Sequence, residues 1–230
     1  MRKKFFILGV IIVLVAIAVF FSYQKNRSAS LINSTVLADR SNNLTPEQKQ
    51  IFLDKIAKGE EYLKSINPKQ LTADRQYSNL YLFMAQQYFG LGKLQQAKEF
   101  FEKSLLKDPA SQGAVEGLSL TFLAAGDMES AGRLLEGFLK NYPDSVNVWL
   151  QYFTVSDSMG KSAQDLYDVY EEALSSTNRD IDIITSDASF QEKTGNIDKA
   201  LELWEEAAEK YPANAAIYQN EISRLKQLMK

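Results

Sequence analysis

Four glycines set the frame of this 230-residue chain: Gly92, Gly126, Gly160 and Gly195 are spaced 34, 34 and 35 residues apart. Pro109, Pro143 and Pro212 repeat the interval as 34 and 69, and Ala97, Ala131 and Ala200 give the same two spacings. Three residue types thus agree on one period, and all place a single inserted residue between Gly160 and Gly195. A fixed period of this length marks stacked units, each too small to bury its own apolar face.

Within the segments starting at Ser78, Gln112, Val146 and Ile181, large residues fall near positions 4, 7, 11 and 24, and small ones near 8, 20 and 27. Small residues let two helices approach closely, and large ones fill the space around them. Glycine after the first helix supplies a left-handed cap. Proline near position 32 cannot continue the second helix. Each unit is therefore expected to be a helical hairpin.

The first segment carries Tyr81, Met84-Ala85, Tyr88, Gly92, Ala97, Phe101, Ser104 and Pro109. The second carries Val115, Leu118-Ser119, Phe122, Gly126, Ala131, Leu135, Phe138 and Pro143, with Phe138 at a normally small position. The third has Trp149, Tyr152-Phe153, Ser156 and Gly160; its second helix slips one residue (Leu166, Tyr170, Ala173) and lacks the closing proline. The fourth has Ile184, Asp187-Ala188, Gln191, Gly195, Ala200, Trp204, Ala207 and Pro212, with Asp187 and Gln191 where apolar residues are usual. These segments resemble the tetratricopeptide repeat family. The resemblance implies an all-α fold, a right-handed solenoid of helix hairpins, with repeats at 78–111, 112–145, 146–180 and 181–214.

The flanks suit an array of this kind. Residues 28–44, rich in Ser and Asn, read as a flexible tether. Thr45-Pro46-Glu47-Gln48 is a helix start with a capping box, and residues 45–77 are expected to form an N-terminal capping helix and its connection. At the far end, 215–230 reads as an amphipathic capping helix with Ile217, Ile222, Leu225 and Leu228 on one face.

Residues 1–27 stand apart. Arg2, Lys3, Lys4, Lys25 and Arg27 flank an unbroken apolar run from Phe5 to Phe21, which Ser22 and Tyr23 extend. A helix over 5–23 would span roughly 28 Å, close to the hydrocarbon thickness of a bilayer. The run is too long for a secretory leader and no small-x-small site closes it. The sequence therefore predicts one transmembrane helix before the repeats and contact with the lipid bilayer through residues 5–23. The greater positive charge on the N-terminal side favours a cytoplasmic N-terminus and an extracytoplasmic repeat region. Lys25 and Arg27 keep the opposite topology, with a cytosolic repeat region, as the alternative.

Composition removes several classes of activity. The chain has no Cys and no His, which excludes disulfide frameworks, thiol nucleophiles, Cys/His zinc sites and histidine bases. From Ser28 onward 21 basic residues face 29 acidic ones, a poor match for nucleic acid. Gly160-Lys161-Ser162 resembles the end of a phosphate loop, but Val155 stands where the earlier glycine belongs, so it reads as a turn. Glu171-Glu172 and Glu205-Glu206 are adjacent on helices, point about 100° apart and do not converge. Gly113 and Gly117 suggest close helix packing. No catalytic residue, metal site, cofactor site or small-molecule substrate is expected.

The resemblance places the first helix of each repeat on the concave face. Positions 2, 5, 9 and 12 then give Asn79, Leu82, Gln86 and Phe89; Gly113, Glu116, Leu120 and Leu123; Asn147, Leu150, Thr154 and Asp157; and Asp182, Thr185, Ser189 and Glu192. Leu82, Phe89, Leu120 and Leu123 form an expected apolar strip, and Asp157, Asp182 and Glu192 an expected acidic end. None of these positions is Lys or Arg, which disfavours gripping of a C-terminal carboxylate. The expected function is a non-catalytic, membrane-anchored scaffold that binds a protein or peptide partner in this groove and supports assembly of a cell-envelope complex. The alternatives are a cytosol-facing receptor or co-chaperone-like adaptor, and an enzyme.

Overall fold

The computed structural model describes residues 37, 39–40, 44–69 and 73–229. The chain divides into two units, 1–36 and 37–230, and the first lies outside the described residues, together with the apolar run 5–23, its basic flanks and most of the 28–44 segment. Among the described residues no helix is long and apolar enough to cross a membrane.

Among the described residues of the second unit ten α-helices follow one another: α1 Pro46–Ser65, α2 Ala73–Gly90, α3 Leu94–Lys107, α4 Gln112–Ala125, α5 Met128–Leu139, α6 Val146–Ser158, α7 Ala163–Ser176, α8 Ile181–Lys193, α9 Ile197–Lys210 and α10 Ala215–Leu228. The four hairpins are α2–α3, α4–α5, α6–α7 and α8–α9. Each turns at a periodic glycine, with φ of +79°, +85°, +70° and +86° at Gly92, Gly126, Gly160 and Gly195. A Cβ there would cost about 1–2 kcal/mol of backbone strain. Gly160-Lys161-Ser162 is the third of these turns, and Ser162 caps α7 by accepting from the Asp165 N–H.

Each hairpin buries its small residues at the helix crossing. Ala85, Ala97, Ser104, Ser119, Ala131, Ser156, Ala173, Ala188, Ala200 and Ala207 have no exposed surface. Ser78 and Ser104 exchange buried hydrogen bonds across the first crossing, the Ser104 hydroxyl donating to the Ser78 carbonyl at 2.9 Å. Between hairpins the first helices touch: α2 meets α4, α4 meets α6, and α6 meets α8, whereas α3, α5, α7 and α9 make no comparable contact with one another. Helices that crowd their like neighbours lie on the inside of a curved array. The first helices therefore line the inner face, and the second helices splay outward.

The third hairpin departs from its neighbours. Phe153 occupies the crossing position held by Ala85, Ser119 and Ala188 elsewhere, and its ring stacks on Tyr170 at 3.9 Å between centroids. The inserted residue lies in its own hairpin turn: Ser162, two residues after Gly160, caps α7, whereas Lys93, Asp127 and Asn196 cap directly after their glycines. In the turn that follows α7, Asn178 and Arg179 both adopt positive φ. That strained turn is fastened from α9. Glu206 accepts two hydrogen bonds from the Arg179 guanidinium, and the Lys210 ammonium donates to the carbonyls of Asn178 and Arg179.

Both ends are capped. Thr45 and Gln48 form the expected capping box. Helix α1 lays Ile56 on Leu80, Met84 and Leu91 in a small separate core. Helix α2 begins at Ala73, five residues before the repeat pattern, and Asp74 there pairs with Lys107 at 2.7 Å. Part of the 28–44 segment is held on the first repeat. Leu37 is buried, its N–H reaches the Gln95 side chain, and the Arg40 N–H donates to the Gly92 carbonyl at 2.8 Å. At the other end the buried face of α10 is Tyr218, Ile222 and Leu225, packed beside Trp204. Ile217 and Leu228 do not share that face: they are 63% and 66% exposed, because a spacing of three to four residues from Ile222 selects Tyr218 and Leu225 instead.

Candidate functional site

On α2, α4, α6 and α8 none of the expected groove positions is fully buried. Asn79, Gln86, Leu120, Asn147, Thr154, Asp157, Asp182 and Ser189 are exposed; Leu82, Phe89, Gly113, Glu116, Leu123, Leu150, Thr185 and Glu192 are half-buried. Leu120 is 46% exposed, a large apolar side chain held in water at the middle of α4. Leu82, Phe89, Leu123 and Leu150 also pack against the core, so the apolar strip is partly an inward extension of it. Adjacent repeats meet along this face. A Cβ placed on Gly113 would lie 3.3 Å from Leu82, so the two expected groove positions are in contact across the repeat boundary.

Polar ties run along the same row. Gln151 donates to the Glu116 carbonyl at 3.2 Å, and Gln112 to the Ser145 hydroxyl at 3.0 Å. Burial alone lifts the Glu116 carboxyl above its ordinary range. The Thr154, Ser158 and Ser189 hydroxyls donate to carbonyls one turn back on their own helices.

The acidic end differs from expectation. Asp157 pairs with Lys193 at 2.7 Å, and the Arg224 guanidinium grips both oxygens of Glu192 at 2.7 and 2.6 Å while also reaching Glu221. The hydrogen bonds from Arg224 hold the Glu192 carboxyl below its usual range. Lys193 and Arg224 fall outside the repeat positions read as groove-lining, so the position rule supplies the charges of only one side. Of the three expected acids, Asp182 alone has no ion pair among the described residues. The acids of this face are thus largely paired, and its remaining exposed groups are apolar or hydrogen-bonding. Phe83, 38% exposed and at helical spacing from Asn79 and Gln86, adds a further apolar group that the position rule passes over.

Asp187 and Gln191, the two polar substitutions of the fourth repeat, are both buried on α8. Gln191 donates to one Asp187 oxygen at 2.9 Å and its own carbonyl oxygen accepts from Asn196. The second Asp187 oxygen has no partner. The adjacent carboxylate pairs are divided by the helix twist: Glu205 pairs with Lys226, and Glu206 with Arg179. Among the described residues no group of three or more carboxylates is placed to hold a metal ion.

Residues 117–145 match the model of the tetratricopeptide repeat family. The fold is similar to that of BtubC (BKLC) from P. vanneervenii, with a TM-score of 0.57 at 12% identity over 79% of this chain and 82% of that one. MamA is similar with a TM-score of 0.52 at 21% identity, over 78% and 98% of the two chains. TTC0263, a thermophilic TPR protein in Thermus thermophilus, gives 0.50 at 19% identity, over 76% and 91%. These likenesses show the fold: an all-α solenoid of stacked helix hairpins like that of tetratricopeptide-repeat proteins.

Proposed function

We propose that this chain is a membrane-anchored scaffold whose inner face docks a protein or peptide partner, in support of assembling a cell-envelope complex. The observation that carries the docking surface is Leu120, nearly half exposed on α4, with Phe83 exposed and Leu82 and Phe89 half-buried on the adjoining first helix α2. Exposed apolar surface rimmed by amides and hydroxyls suits a helical or extended segment with apolar anchors. Two of the three acids of the same face are already paired, which speaks against a partner chosen by charge alone. Residues 5–23 supply the anchor in this reading, with the N-terminus cytoplasmic and the repeats outside.

A photoreactive residue at Thr154 is expected to cross-link one partner in cells, and Leu120→Glu to remove that product without changing the helical circular dichroism. Equal cross-linking from Leu106, 76% exposed on the outer helix α3, would sink the docking assignment, as would a yield indifferent to Leu120→Glu. Topology is tested separately. A cysteine at Asp144, an exposed turn residue of this cysteine-free chain, should react with an impermeant maleimide in intact cells. Labelling only after lysis reverses the topology and favours the cytosol-facing receptor. Release of the full chain from membranes by alkaline carbonate would refute the anchor.

A further inference from the structure

A cleft lies where the second and third hairpins meet. Two bulky residues stand at positions where other repeats carry Ala or Ser: Phe138 in place of Ser104, Ala173 and Ala207, and Phe153 in place of Ala85, Ser119 and Ala188. Both are buried, at 7% and 5% exposure. Between the outer helices α5 and α7 a cleft of about 170 Å³ remains, floored by Leu139, Trp149, Tyr152 and Val169 and rimmed by Glu136, Lys140 and Glu172. That volume is below the roughly 300–1,000 Å³ of small-molecule sites. It suits one inserted side chain.

The charge around the cleft is one-sided. Glu136 is neutralised by Lys140 at 2.7 Å. Asp165, Asp168 and Glu172 run along α7 at helical spacing beside Val169, all exposed, and α7 contains no Lys or Arg. The nearby cation is Lys161, whose ammonium donates to the Tyr152 hydroxyl and lies 4.8 Å from its ring centroid. Three acids against that one cation leave the wall negative. We propose that this cleft docks a polypeptide segment carrying an aromatic or branched aliphatic side chain flanked by Lys or Arg. The apolar residue enters over Trp149 and Val169, and the basic flanks lie along Asp165, Asp168 and Glu172. This site does not depend on the inner face.

The test selects peptides from a random displayed library on the full chain in detergent micelles. Enriched sequences are expected to combine one large apolar residue with adjacent Lys or Arg. A synthetic consensus peptide should shift the emission of Trp149 to the blue in a Trp204→Phe background. Asp168→Lys with Glu172→Lys should weaken its binding about tenfold or more, and Leu120→Glu should leave it unchanged. The proposal is overturned if no consensus emerges, if the consensus is acidic, or if the losses follow any pattern other than selective loss in the α7 variant.

Discussion

Asp187 is a carboxylic acid with no exposed surface at the middle of α8, and one of its oxygens has no hydrogen-bond partner. Burial pushes its pKa up to about 6; Glu171 adds to the rise, while the Gln191 hydrogen bond and the charges of Lys199 and Arg179 oppose it. The sign follows from linkage. The folded chain holds this proton more tightly than the unfolded chain, whose ordinary value is 3.8, so stability falls as pH rises from about 3.8 to about 6 and the penalty is complete above that. Asp187→Asn keeps the shape and the bond to Gln191 and removes the charge. It is expected to stabilise the protein by about 1–3 kcal/mol near neutral pH, with most of that gain lost near the unfolded value. Thermal unfolding of both forms across this pH range checks it; an Asn form that is less stable at neutral pH contradicts the assignment. The sequence marks Asp187 and Gln191 as misfits in the repeat, but not their pairing, which depends on Asn196 folding back from the next turn.

At the scale of elements, glycines of equal rank in the sequence do different jobs. Gly126 has φ of +85° and open space around a would-be Cβ, so Gly126→Ala is strained only in its backbone and should cost about 1–2 kcal/mol. Gly117 is helical, and a Cβ there would sit 2.2 Å from the Phe101 ring. Phe101 is 1% exposed and cannot swing away. Gly117→Ala is therefore an overpacking change, expected to cost about 1–3 kcal/mol and to be partly rescued by Phe101→Leu. Chemical unfolding of the two variants, with and without Phe101→Leu, separates them: rescue of Gly126→Ala by the same change would contradict this division. The turn glycines are legible because they recur with the period. The packing role of Gly117 is visible only as a small residue near Gly113, since the ring it accommodates comes from another hairpin. The hairpin turns are legible for the same reason as the turn glycines: each repeats. The Phe153 wedge, the ion pairs of Lys193 and Arg224, and the outer cleft are not, because each arises where one repeat breaks the rule.

Across the whole array, stability passes from neighbour to neighbour, and its ends are held differently. At the N-terminal end α1 builds a core of its own with Ile56, Ile66, Leu80, Met84 and Leu91. At the C-terminal end α10 has no such core; Tyr218, Ile222 and Leu225 join the cluster that runs from Ala85 through all four hairpins. Two ionic links, Arg224 to Glu192 and Lys226 to Glu205, add to that contact, but their side chains are largely solvated and such pairs contribute little. The packing of Leu225, which has no exposed surface, therefore decides whether α10 stays down. Leu225→Ala should cost about 2–5 kcal/mol locally. Because α10 covers α9, and Glu206 and Lys210 of α9 fasten the strained turn at Asn178 and Arg179, the loss should propagate inward. Amide exchange in the variant is expected to rise first over 197–228, then over the 177–180 turn, with α2 and α4 unchanged. A uniform rise along the array would mean that α10 and the four hairpins unfold as one cooperative unit, and would contradict stepwise propagation from the C-terminal end.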